Sequence, residues 1–506
     1  MTASASPRAL IPLPASVVWN PNAFRLSPQT RIVWCADLPE HAEAMVRITT
    51  LLTDRIRTAT GFPLPCGENR ASDADTILLE VTTADWQSPA CSNPARADAS
   101  SEAYRLTVTE ACVRLVATTP EGIFRGIQTL YQLLPAQIDA VEPASDIDWS
   151  VPCCVIEDAP VYAWRGMMLD VARHFHPVAT VKRLIDQLAR FKFNKLHLHL
   201  TDDQGWRLEI KSWPALTEVC GPVAVNGDPG GFYTQDDYRE LVAYAGSHYI
   251  DLIPEIDMPG HTNAALAAYG ELNPDGVRRD TYTGIEVGFS SLMCREEATY
   301  RFIDDVLREV TALTPGAYLH IGGDEAKATT EEDFAYFIGR VCAIAATYGK
   351  TPIGWNNFEL AETVPSSAVL QMWQNESPKA VEKGMKVIAS VPNRAYLDMK
   401  YHEDYPLGLA WAGCVPTDVA YGWEPSDHVP KALLLGIECP LWTETAVTEA
   451  DIDQLVFPRL LGHAEVGWTP QALRNWPDYQ IRLRIMTERL RLQGIRYYAD
   501  PVVKWD

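Results

Sequence analysis

Leu319-His320-Ile321-Gly322-Gly323-Asp324-Glu325-Ala326 is the stretch on which the fold turns. An apolar run ends in two glycines, and two adjacent acids follow where a strand would give way to a loop. Glycine permits close backbone approach and unusual dihedral angles, so the acids are presented at a strand's C-terminal end rather than buried within it. Paired carboxylates at such a place can divide into a proton donor and an anion. An Asp-Glu pair also suits a solvated surface or a helix start, so its meaning depends on the rest of the chain.

Outward from this stretch, apolar strand candidates lie at 163–169, 195–200, 249–256, 317–321, 352–355, 369–373, 385–389 and 434–439. Helical patterns at 178–191, 236–247 and 299–313 separate several of them. Eight such strands predict the α/β class and a (β/α)8 TIM-type barrel, whose chemistry is assembled at strand ends. The connection before the eighth strand is long and rich in Gly, Pro and aromatics, as expected of a pocket-shaping loop. Segments 448–468 and 470–492 are expected to close the barrel as helices. Upstream, strand-like 76–81, 103–108 and 112–117 and a helix at 122–134, with an apolar stripe of Ile123, Ile127, Leu130, Leu133 and Leu134, predict a small α+β domain. The acidic, Pro-containing stretch 139–152 marks a boundary, giving domains 1–155 and 156–506.

The chain has 506 residues, 47% of them hydrophobic, enough for a large core. Its formal net charge of -23 argues against nucleic acid or any other polyanion as a partner. Eleven cysteines show no disulfide-like spacing and no Cys-x-x-Cys pair; Cys112, Cys153, Cys154, Cys342 and Cys439 sit among apolar neighbours and read as buried thiols. The opening MTASASPRALIPLPASVVW lacks the apolar core of a signal peptide, and no run of 18 apolar residues occurs. The expectation is a protein without a membrane partner, cytoplasmic, or secreted if the leader has already been removed.

Chemistry collects at the predicted strand ends. Arg173 follows the first, where a guanidinium could grip two neighbouring hydroxyls or make a rim salt bridge. Asp202 and Asp203 follow the second. Within that strand His197 and His199 share a face; without an accompanying Cys or His cluster they are expected to make internal hydrogen bonds rather than bind metal. The third brings Asp257 and His261 to the same rim. Trp355, Trp373, Tyr396 and Trp442 fall at or just after later strands, and Glu444 follows the last. Aromatic rings stack on apolar sugar faces while hydroxyls need charged partners, so the combination points to a carbohydrate pocket and a glycosidase.

WRGMMLDVARHF from Trp164, KLHLHLTDDQGWR from Lys195, PEIDMPGH from Pro254, HIGGDE from His320, NRAYLDMKY from Asn393 and CPLWTE from Cys439 together resemble glycoside hydrolase family 20, the β-N-acetylhexosaminidases. The resemblance implies Glu325 as general acid and Asp324 as partner of the substrate's 2-acetamido group, which replaces an enzyme nucleophile. It implies Tyr396 as hydroxyl donor to the acetamido oxygen, and Asp202 and His261 as a relay supporting Glu325. Arg173, Asp398 and Glu444 correspond to ligands of the sugar hydroxyls; Trp355, Trp373 and Trp442 correspond to the pocket lining. On chemical grounds Glu325 needs a higher pKa than Asp324, which burial and its neighbour's charge could supply. No metal or organic cofactor is implied. The expected substrates are glycans ending in N-acetylhexosamine, with release of a disaccharide or binding without catalysis as alternatives, and the chain as monomer or homodimer. Loops 221–235 and 402–430 are expected to set selectivity.

Overall fold

The computed structural model of the chain describes residues 9–70, 73–83 and 101–505, so the first part of the opening segment and Cys91 lie outside the described residues. Two compact units are present. One comprises the chain up to Ala163 with Arg190–Lys192 and Leu460–Asp506; the other comprises Trp164–Ala189 and Phe193–Arg459.

The first unit holds a seven-stranded mixed sheet of β1 (Ser16–Arg25), β2 (Arg31–Ala36), β3 (Cys66–Glu68), β4 (Thr76–Val81), β5 (Tyr104–Val108), β6 (Cys112–Ala117) and β7 (Ser150–Asp158), in the order β1-β7-β5-β6-β4-β2-β3. Helix Pro120–Leu133 starts where the Thr119 side chain accepts from the Gly122 N–H, with proline in its first turn. It lies flat on the sheet because Gly126 carries no side chain: a Cβ there would stand 2.4 Å from Leu115 Cδ1. The expected stripe on its face is buried. Cys112, expected inside, is only half-buried at the start of β6.

Both ends of the expected domain division need correction. A boundary at 155 cuts β7, which pairs antiparallel with β1 and β5 through residue 158. Residues 460–506, expected with the barrel, group with the mixed sheet. In helix Trp476–Leu492, Arg482 forks onto Glu465 at 2.6 and 2.8 Å and reaches the Leu10 carbonyl, while Arg489 bonds the Leu134 carbonyl.

The second unit is a closed, all-parallel barrel of β8 (Trp164–Asp170), β9 (Lys195–His199), β10 (Asp251–Glu255), β11 (Tyr318–His320), β12 (Thr351–Trp355), β13 (Val369–Met372), β14 (Lys386–Ala389) and β15 (Leu434–Leu441). These are the eight predicted strands. Helices Val178–Arg190, Gln235–Ser247 and Glu297–Leu313 stand where expected, and Glu331–Thr347 adds one that was not anticipated. No helix among the described residues is long and apolar enough to cross a membrane.

One layer of the barrel interior is apolar, built from Trp164, Ile253, Ile353, Val369 and Ile388. Another is polar, which is unusual for a barrel normally filled with branched aliphatics. Glu255 is approached by His197 at 3.0 Å, His199 at 2.5 Å, His320 at 2.9 Å and the Trp355 indole N–H at 2.8 Å. Glu438 lies 2.8 Å from His197 and accepts from Gln371 and Trp164. The histidine pair thus makes the internal hydrogen bonds read from its spacing. Burial opposes charge on His197, yet Glu255 and Glu438 raise it to about 9. Glu255, also against the effect of burial, is held well below the usual carboxylate range by the three imidazoles. A buried charge persists only when so paired.

Candidate active site

β11 ends at His320, and the chain then turns through Gly322 at φ +66° and Gly323 at φ +95°, with Glu325 itself at φ +44°. The glycines are obligatory here. A Cβ on Gly322 would stand 1.6 Å from Asp257 Oδ1, and the Gly323 N–H donates to that oxygen at 3.0 Å. Asp257, expected at the rim with His261, is therefore the carboxyl around which the turn is folded. The strained residue after it is a common mark of a functional turn.

This turn delivers Asp324 and Glu325 to a pocket of about 360 Å³ whose walls also include Arg173, His261, Trp373, Tyr396, Asp398, Trp442 and Glu444. Nine of the eleven predicted site residues thus line one cavity. Asp202 stands behind it, with its Oδ1 3.1 Å from His261 Nδ1. His261 Nε2 then lies 3.8 Å from both Asp324 Oδ2 and Glu325 Oε2. Asp203 points elsewhere, accepting from Ser290 Oγ and the Asn263 N–H, which favours Asp202 as the group that orients His261.

Trp355 is the correction. Expected in the pocket lining, it is 1% exposed and turned toward the barrel axis, where its indole N–H is held by Glu255. Its ring lies 5.9 Å from that of Trp442, so it backs the wall rather than forming it.

Charges around the turn are set by burial and pairing. Burial works against the charge on His261, but Asp202 and Asp324 raise it well above the ordinary histidine range. Asp202, against burial, is lowered well below the carboxylate range by Arg173, His261 and His199. Asp324 is raised by burial, with Glu255 and Glu325 adding to the rise and His261 opposing it. Burial and the charge of Asp324 push Asp257 well up. The two acids of the turn also differ in exposure: the Asp324 side chain is 11% exposed and that of Glu325 27%. Of these two acids, Asp324 is the more deeply buried.

The far wall carries Arg173, Asp398 and Glu444. Arg173 Nη2 meets Asp202 at 2.7 Å, its Nη1 meets Asp170 at 3.3 Å, and its guanidinium lies 4.8 Å from the Trp442 ring centre. Asp398 is pushed well up by burial and by neighbouring Glu444; Glu444 is raised by burial and opposed by Arg173. Tyr396 keeps its proton, because burial, Asp398 and Asp324 all raise it. Arg173 Nε, Asp324 Oδ1, His261 Nε2 and Trp373 Nε1 are buried without a hydrogen-bond partner. Buried polar atoms are rarely left so in a folded protein, and four on one pocket mark where a ligand supplies the partners.

The sequence reading missed Trp411, which stands at the pocket mouth, 55% exposed, edge-on to Trp373 at 6.1 Å and Tyr396 at 5.8 Å. Ile285 and Val287 complete the apolar mouth. All three lie in loops with no pattern of their own; the richness of 402–430 in aromatics was the available signal. Ligand-type atoms of His197, Glu255 and His320 lie within 4.8 Å of one another, as do those of Asp202, Asp203 and His261. In both groups the contacts made are histidine–carboxylate pairs.

Residues 162–471 match the model of the glycosyl hydrolase family 20 catalytic domain, and residues 8–159 that of the family's domain 2. The chain belongs to glycosyl hydrolase family 20. Its resemblance to that family thus extends across both units, and it is a glycoside hydrolase with a TIM-type barrel. A β-N-acetylhexosaminidase of Cellulomonas fimi is 41% identical over 80% of this chain and 82% of its own length. The family 20 β-N-acetylhexosaminidase of Streptomyces coelicolor A3(2) superposes with a TM-score of 0.91 at 43% identity, covering 99% of each chain. An N-acetyl-β-hexosaminidase of Streptomyces plicatus, solved with thio-NAglucal, gives 0.91 at 42% identity over 100% of this chain and 99% of its own. A mutant of that enzyme was solved with its product GlcNAc.

Proposed function

We propose that this family 20 glycoside hydrolase is an exo-acting β-N-acetylhexosaminidase that removes terminal β-linked N-acetylglucosamine or N-acetylgalactosamine with retention of configuration. The observation that carries the reading is the pairing on one turn of a buried Asp324, its Oδ1 unpartnered, with a more exposed Glu325. Asp324 accepts the acetamido N–H and stabilises positive charge as the amide oxygen attacks the anomeric carbon. The glycosidic C–O bond breaks while Glu325 gives its proton to the leaving oxygen. Tyr396 donates to the acetamido oxygen and holds it beneath the anomeric carbon. The Glu325 carboxylate then takes a proton from water, which opens the oxazolinium ring. Two inversions give net retention. Arg173, Asp398 and Glu444 take the hydroxyls of the terminal sugar, and a volume of about 360 Å³ suits one sugar residue.

The test is hydrolysis of aryl β-N-acetylglucosaminide and its N-acetylgalactosamine counterpart by wild type, Asp324→Ala and Glu325→Gln. Wild type should cleave at least one, with roughly 10²-fold or greater losses in both variants. Release of a disaccharide from a longer glycan, with neither aryl glycoside cleaved, overturns the exo specificity; binding without turnover overturns the mechanism.

A further inference from the structure

We infer that Arg459 and Arg207, neither of which lines the pocket, are positioning residues that hold the hydroxyl-binding groups Asp398 and Arg173 in register by clamping backbone carbonyls. The inference rests on the reading of Asp398 and Arg173 as hydroxyl ligands.

Both guanidiniums are fully buried, and the hydrogen bonds they make go to backbone carbonyls. An arginine placed so usually carries a counter-ion; these two spend their donors on main chain instead. Arg459 Nη1 reaches the Met399 carbonyl at 2.6 Å and the Val415 carbonyl at 3.0 Å, and its Nη2 takes the Leu397 and Leu455 carbonyls. The carbonyls on either side of Asp398 are thereby tied to one rigid fork, which also gathers the loop at 415. The same charge opposes the burial that raises Asp398.

Arg207 repeats the device at Arg173. Its Nε takes the Val171 carbonyl at 2.9 Å and its Nη2 the carbonyls of Ala172 and Val223, the latter at 2.7 Å. Its Nη1 takes those of Gly221 at 2.7 Å and Gly231 at 3.1 Å. The gathered loop in turn bonds the Arg173 carbonyl through the Val225 N–H at 3.0 Å. Gly205 makes room for this fork, since a Cβ there would lie 2.2 Å from the Arg207 Cζ. Each arginine therefore joins one hydroxyl ligand to one of the two loops expected to set selectivity.

The experiment compares wild type, Arg459→Lys and Arg207→Lys on aryl β-N-acetylglucosaminide and its 4-deoxy analogue. Lysine keeps the charge and loses the fork. Wild type should lose roughly 10²-fold or more in kcat/KM when the hydroxyl is removed, because its ligands are left unpaired. In each variant kcat/KM on the parent sugar should fall by about 10²-fold, mainly through KM, and the penalty for the missing hydroxyl should shrink below about tenfold. Gly205→Ala, which displaces the Arg207 fork without removing it, should shrink the penalty in the same way and serves where a lysine variant does not fold. Losses equal on both sugars, with the wild-type penalty kept, mean that the arginines only support the fold and overturn the proposal. A wild type indifferent to the hydroxyl overturns the ligand reading itself, and is recognised because no variant is needed to see it.

Discussion

Replacing Glu255 by Gln tests whether the polar layer of the barrel is held by charge. Four groups approach this one carboxylate, and none of them has water as an alternative: His197, His199, His320 and the Trp355 indole. Gln exchanges one acceptor oxygen for an NH2 that faces a donor, and leaves His197 and His199 with half their counter-charge. Breaking one partner of a buried ion pair costs about 3–5 kcal/mol. A domain of about 290 residues unfolds with an entropy near 0.6 kcal/mol/K, so about 4 kcal/mol lowers Tm by roughly 7 °C. The pH dependence must change as well. His197 is raised from 6.5 to about 9, so its contribution of about 3 kcal/mol is complete below pH 6.5 and is lost as pH rises to about 9. Glu255 is lowered, so its contribution is present above pH 4.5 and is lost as pH falls through its folded value. Thermal melts of wild type and Glu255→Gln from pH 5 to 9.5 measure both. The variant should melt lower throughout, with a shallower decline between pH 6.5 and 9. A Tm within about 1 °C of wild type and an unchanged alkaline decline would refute the account.

On the proposed mechanism Asp324 must be an anion to accept the acetamido N–H, and burial raises it, so kcat/KM should fall on the acid side as pH drops through that raised value. His261→Gln removes the imidazolium that opposes the rise and should move this limb to higher pH; a limb that stays or moves down contradicts the assignment. Gly322→Ala forces a Cβ to within 1.6 Å of Asp257 at φ +66°, at a backbone cost of about 1–2 kcal/mol, and should reduce kcat by roughly 10²-fold. Activity within twofold of wild type would show that the turn tolerates the shift.

The barrel was legible because each strand is a short apolar run ending in chemistry, and the groups that matter stand within a few residues of those ends. The same rule explains the failures. β1 and helix Ala42–Thr60 carry no such punctuation, and β7 hid behind an acidic, Pro-containing stretch that resembles a linker. Trp355 was misplaced because a residue closing a strand can face the axis or the rim, and only Glu255 decides which. Trp411 belongs to a loop, where position follows from tertiary contacts rather than period. The carbonyl clamps of Arg207 and Arg459 were invisible because backbone acceptors leave no mark in side-chain identity.

Asp202 accepts at once from Arg173, from His199 and His261, and from the Asp203 N–H. One carboxylate therefore belongs both to the wall of Arg173 and to the imidazole beside the two acids of the turn. A substitution at Arg173 therefore also unbalances the neighbour of His261. On the proposed roles, a change of terminal sugar that spares His261 should thus come through Asp398, Glu444 and the loops behind them rather than through Arg173.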